Sequence, residues 1–128
     1  MPAQPPVDPP QTSDEVWHVV TTVASVEDAH RLAGALMSRR LAACVQVEMP
    51  IRSFYVWENE LHDDEEFRLT MKTTRGRFSE LRDYLLESHP YDLPEILALP
   101  AIDGHPAYLA WVAQEVAPAN DGGEPSSY

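Results

Sequence analysis

The amino-acid sequence predicts an α+β domain built as one antiparallel sheet with helices packed on one face. Three observations carry this. Segments rich in β-branched and aromatic residues alternate along the chain with segments whose apolar residues recur at helical spacing. A central stretch folds back on itself, its returning half placing Phe67, Leu69 and Met71 in alternation with Arg68, Thr70 and Lys72, the signature of a strand with one buried face. The 128 residues are also enough to bury a core without disulfides or a metal.

The domain is expected to span residues 15–117. Residues 1–14 hold Pro2, Pro5, Pro6, Pro9 and Pro10 and few apolar side chains, so they read as a mobile, polyproline-like tail, and 118–128 read the same way. Glu15 to Val23 is rich in Val, Trp and Thr and is the expected first strand. Ser25 then opens a helix, its hydroxyl placed to cap the amide near Asp28. Ala29, Leu32, Ala33 and Leu36 form one apolar stripe on that helix, aimed at the sheet.

Leu41 to Val47 is the expected second strand, with a bend at Pro50 before it resumes as Ile51 to Trp57. Glu58-Asn59 is the tip of a hairpin, and Asn tolerates the left-handed backbone that such a turn needs. A two-residue loop sets Arg52 opposite Glu65, an expected cross-strand ion pair. Thr74 to Ser88 is the second helix, with Phe78, Leu81 and Leu85 inward, stopped by Pro90. Ile96 to Leu99, closed by Pro100, is a short last strand, and a stiff segment holding Pro90 and Pro94 joins it to the helix. Asp103-Gly104 turns the chain, and Pro106 starts a third helix with Tyr108, Leu109, Val112 and Val116 on its buried side. The order βαββαβ plus a C-terminal helix is the ferredoxin-like arrangement. Its helices cover one sheet face only, yet Trp17, Tyr55, Trp57 and Trp111 cannot all point at them, and the hairpin is longer than a compact sheet requires. Self-association would cover both surfaces.

Composition narrows the partners. The formal net charge of −12 argues against nucleic acid, whose phosphates demand a basic face, and favours cations. A solvated acidic surface explains the same charge. The single cysteine excludes an internal disulfide, and neither a signal peptide nor a membrane span is visible, so the cytoplasm is the expected location.

The string His89-Pro90-Tyr91-Asp92-Leu93-Pro94-Glu95, with Ala43-Cys44-Val45 and Ser53-Phe54-Tyr55-Val56-Trp57 upstream, resembles the CutA family of divalent-cation tolerance proteins, from about Trp17 to Val116. The resemblance implies a homotrimer whose sheets pack around an axis and whose hairpins augment neighbouring sheets. It further implies a role in tolerance of divalent cations, with copper binding and no catalysis. Two positions depart from the family pattern: Gln46 stands where Asn is usual, which weakens any carry-over of polar contacts beside Cys44, and Asn59 stands where Gly is usual.

The residues able to do chemistry are few. Cys44 is the one soft thiol and would prefer Cu(I), either with copies from other subunits or with His89; a small buried strand residue is the plainer reading. His89 sits at a helix carboxyl end, where the dipole favours its charged form, so a cap competes with a ligand. His62, Asp64 and Glu66 share one strand face and could hold a divalent ion weakly, or simply be solvated. Lys72, Tyr91, Glu95 and Trp57 match positions that gather at a cleft between subunits in the family. Lys72 near Glu95 would bind a small anionic ligand, as in the PII-like trimeric regulators that are the alternative reading, or form an intersubunit ion pair. An enzyme with Cys44 as nucleophile and His89 as base lacks a strained turn under the thiol or a Gly-rich phosphate loop, so no catalysis and no required cofactor are expected.

Overall fold

The computed structural model describes residues 12–118. Eight elements follow in order: β1 (Val16–Val23), α1 (Val26–Ser38), β2 (Cys44–Val47), β3 (Ile51–Trp57), β4 (Glu60–Thr74), α2 (Arg75–Ser88), β5 (Leu97–Pro100) and α3 (Pro106–Val116). The fold is α+β, with an antiparallel sheet in the order β2-β4-β1-β5 and β3 paired to the free part of β4. Of the expected leading tail, Thr12–Asp14 form a 3-10 turn against α2, and the rest lies outside the described residues, as does the trailing segment from 119 on. That turn lies so close to Gly76 that a Cβ there would come within 3.0 Å of the Ser13 carbonyl.

Local chemistry accounts for the element ends. Ser25 Oγ accepts from the Asp28 amide at 3.1 Å, capping α1 as its sequence predicts. At the start of α3, Pro106 occupies a position that needs no amide hydrogen, while His105 Nδ1 accepts from the Ala107 and Tyr108 amides at 3.1 and 3.3 Å. Glu58 and Asn59 take φ of 50° and 64°, both left-handed, and the hairpin pairs Arg52 with Glu65 and Trp57 with Glu60 as a two-residue turn requires.

The sheet has two unlike faces. Val19, Leu69 and Met71 face Leu32 and Leu36 of α1 and Leu81 and Leu85 of α2, all fully buried. On the opposite face Val16 and Ala43 cluster with Val112 and Val116 of α3, with Ala101 and Leu109 packed against them. Along the edge strand that face is open, with Leu97 and Leu99 56% and 53% exposed.

Three expectations need correction. Leu41 to Ala43 are buried but precede the strand, because the Leu41 amide still bonds the Leu36 carbonyl at the end of α1. Arg52 is opposite Glu65 but bonds Asp63, with Nη2 2.9 Å from Oδ1, since its long side chain reaches the diagonal neighbour on the same face. Tyr108 is exposed beside Trp111, and α3 buries its Val112–Val116 end instead.

Candidate functional site

β4 serves two different partners along its length. Its second half pairs with β1 and β2, whereas Glu60 to Glu66 pair only with β3, so the hairpin runs on past the end of β1. The segment between α2 and β5 fills the step on the β1 side. A groove of about 580 Å³ opens there, on the sheet face away from α1 and α2. Thr22, Glu66 and Arg68 form its floor. Tyr55 and Trp57 of β3 form one wall, and Tyr91, Asp92 and Glu95 the other. That volume lies in the range of small-molecule sites.

His89 fastens the second wall. Its backbone amide closes α2 on the Leu85 carbonyl at 2.8 Å. Its ring is buried, and Nδ1 accepts from the Tyr91 amide at 3.1 Å. Nε2 must then carry the hydrogen, which it donates to the Thr22 carbonyl at 2.9 Å, with Thr21 Oγ1 3.1 Å away. Burial pushes the imidazole pKa below its usual value, against the raising influence of the Thr22 hydrogen bond. The charge expected from the helix end is therefore disfavoured, because the ring is buried against Thr21 and Thr22.

Tyr91 reaches across the groove floor and donates its hydroxyl to Glu66 Oε2 at 2.8 Å. Burial, then this bond, pushes the phenol pKa upward. Glu66 is only 8% exposed, and its second oxygen, Oε1, has no hydrogen bond among the described residues. On the adjoining wall Tyr55 donates to Asp64 Oδ2 and stacks on His62, with ring centroids 5.1 Å apart.

Trp57, Tyr91 and Glu95 line one groove within this chain, and Lys72 does not join them. Lys72 bonds Gln46, and register places it between Cys44 on β2 and His18 on β1, in a row toward the α3 end of the sheet. Cys44 and His89 are likewise apart. The thiol belongs to that row, while the imidazole touches Thr21 and Thr22 at the other end of β1. Both ring nitrogens of His89 are engaged with protein, so it offers a metal no lone pair in this conformation. His62, Asp64 and Glu66 keep their shared face, but Tyr55 takes up the first two and Tyr91 the third. The charged residues that the sequence reading did not place at the groove are Glu66, Arg68 and Asp92. The hairpin pairing of Ile51 with Glu66 was the available signal, since it brings this end of β4 beside the β3 wall.

A family model described as CutA1 divalent ion tolerance protein matches residues 17–115. The divalent-cation tolerance protein CutA of Thermus thermophilus is 42% identical over 96 residues, covering 75% of this chain and 93% of that protein. The chloroplastic protein CutA 1 of Oryza sativa is 39% identical over 94 residues, which are 73% of this chain and only 53% of the relative. Among solved structures, that of the periplasmic divalent cation tolerance protein CutA from Archaeoglobus fulgidus superposes with a TM-score of 0.76 at 36% identity, over 79% of this chain and 98% of the other.

Proposed function

Because the chain belongs to the CutA1 divalent ion tolerance family, we propose that it serves in tolerance of divalent cations as a non-catalytic, cytoplasmic homotrimer of ferredoxin-like subunits. One observation carries the assembly: the apolar surface that a single copy leaves open. Phe54, Val56 and Leu61 share one hairpin face at 68%, 69% and 75% exposure, and edge strand β5 adds Leu97 and Leu99. A closed ring of copies would cover hairpin and edge together. The strand order supports the ferredoxin-like plan when β2 and β3 are taken as one strand broken at Pro50.

Copper enters this reading only through assembly. Among the described residues of one chain Cys44 has no second thiol beside it and His89 is engaged, so this pair does not form a copper site. A site built on Cys44 draws its other donors from another copy. The charge of the groove weighs against the rival reading of a small anionic ligand: Glu66, Asp92 and Glu95 line it, Lys72 is absent from it, and Arg68 is paired with Glu48 at 3.4 Å. Light scattering at micromolar concentration should give three chains per particle, and Leu97→Asp with Leu99→Asp should lower that number. A stable wild-type monomer would refute the assembly. Copper added under thiol-protecting conditions should raise the melting temperature of the wild type and not of Cys44→Ser, and equal shifts in both would remove the thiol from the reading.

A further inference from the structure

The segment that joins α2 to β5 is fastened to the rest of the chain at very few points. Among the described residues, Pro90 to Glu95 make two hydrogen bonds, both through Tyr91: its amide donates to His89 Nδ1 at 3.1 Å and its hydroxyl to Glu66 Oε2 at 2.8 Å. Pairing with β1 begins only at Leu97. Asp92, Leu93 and Glu95 are exposed, whereas His89, at the root of the segment, is buried. Pro90 and Pro94 stiffen what lies between, so the segment moves as a unit if it moves at all.

The tie at His89 requires a neutral ring. Nε2 already carries the hydrogen given to the Thr22 carbonyl at 2.9 Å, so a second proton has only Nδ1 to occupy. There it would face the Tyr91 N–H, donor against donor. We propose that His89 is an acid-released latch: when its ring takes up a proton, residues 90–95 come away from β1 and β4 as one stiff unit while the sheet and its helices stay folded. The groups around the ring oppose one another. From α1, Asp28 favours the charge and Arg31 opposes it; from β4, Glu66 favours it; from β1 the ring meets the neutral Thr21 and Thr22; and on the segment itself the Tyr91 ring lies 4.9 Å away. Burial outweighs the two carboxylates and holds the latched imidazole below its ordinary 6.5, so the released form is protonated first. Release parts Tyr91 from Glu66 and opens the groove from one side, a change within a single chain that needs neither a metal nor a second copy.

Amide hydrogen exchange of the full-length protein, resolved by NMR and followed from pH 7.5 to pH 5, tests the latch. The protection factor of the Tyr91 amide should fall about three- to thirtyfold over that range, the upper figure being the gain of a freed imidazole of pKa 6.5 at pH 5. It should also stay at least about tenfold below those of Leu69 and Met71, which lie on a strand paired on both sides and exchange only when the whole fold opens. His89→Asn offers the Tyr91 amide a side-chain oxygen in place of Nδ1 and does not titrate, so its Tyr91 protection should not vary with pH. A fall of less than threefold in the wild type, a Tyr91 protection equal to that of Leu69 and Met71, or an undiminished fall in His89→Asn would each overturn the proposal. Where that variant does not fold, the wild-type amides alone decide.

Discussion

His89→Phe is the substitution whose consequences the structure specifies most fully. Phenylalanine keeps the ring volume at a site that is 9% exposed, so little cavity forms and the main loss is of polar partners. The Thr22 carbonyl and the Tyr91 amide are left without a hydrogen bond, and Thr21 Oγ1 loses a neighbour. At about 1–1.5 kcal/mol for each backbone group left without a bond, destabilisation should reach about 2–3 kcal/mol. For a domain of this size that lowers the melting temperature by roughly 10–20 °C at fixed protein concentration.

The pH dependence supplies a second and sharper readout. Burial holds the folded imidazole pKa below its ordinary 6.5, so as pH falls through 6.5 the unfolded chain takes up a proton before the folded one. Stability contributed by neutral His89 is therefore complete above pH 6.5 and declines below it. Asp28 and Glu66 favour the charged ring and Arg31 opposes it, but burial outweighs the two carboxylates. Melting curves of wild type and His89→Phe from pH 8 to pH 5 should converge toward acid, leaving the variant with the weaker slope that His18, shifted the same way by burial and Lys72, contributes. Parallel curves, or a variant melting within two or three degrees of wild type at pH 8, would show that the ring is not the tie between β1 and the groove wall.

Tyr91→Phe should cost about 1–2 kcal/mol in denaturant unfolding, because the largely buried Glu66 Oε2 loses its donor. Since the folded phenol is held above its ordinary value of 10.0, wild type should also lose stability as pH rises past 10, and the variant should lose less. Gly34→Ala should raise stability by about 0.5–1 kcal/mol, since the position lies within α1, has ordinary helical φ, and offers an added Cβ no neighbour within 4 Å. Glu58→Asn should stabilise the hairpin by about 0.5–1 kcal/mol by relieving a bulky residue of φ 50°, and an unchanged melting temperature would deny strain at the tip.

What the sequence made legible is what depends on short-range pattern. The alternation around Leu69, the stripe at Leu32 and Leu36, the cap at Ser25 and the turn at Glu58-Asn59 are each decided within a few residues, and each is found. The Cys44–His89 and Lys72–Glu95 pairings depended on which strands neighbour one another and at what offset, and alternation carries no information about that. Once β4 lies between β1 and β2, Lys72 is committed to the row of Cys44 and His18, while Glu95 follows its stiff segment to the far end of β1. The lowered pKa of His89 is hidden from sequence for a related reason. A helix end is visible in sequence, whereas the Thr21-Thr22 wall against which the ring lies comes from 67 residues away.

The position of the groove follows from unequal strand lengths. β4 has 15 residues and β1 has 8, and their pairing ends at Val23 opposite Phe67. From Glu66 outward β4 has no strand on its β1 side. On its other side the chain also changes course, for β2 stops at Val47, the Glu48 amide bonds the Arg68 carbonyl, and pairing resumes only at Ile51 opposite Glu66. Pro50 cannot donate to the ladder, which makes this interruption a property of the sequence. Glu66 thus sits where β1 has ended and β3 has just begun, and a carboxylate there would be left buried and unbonded. The segment around Tyr91 closes that gap with one hydroxyl, stiffened by Pro90 and Pro94 and tied down by His89. Because a single donor satisfies one of the two oxygens, the same geometry that completes the sheet leaves an acceptor at the floor of an acidic, aromatic groove.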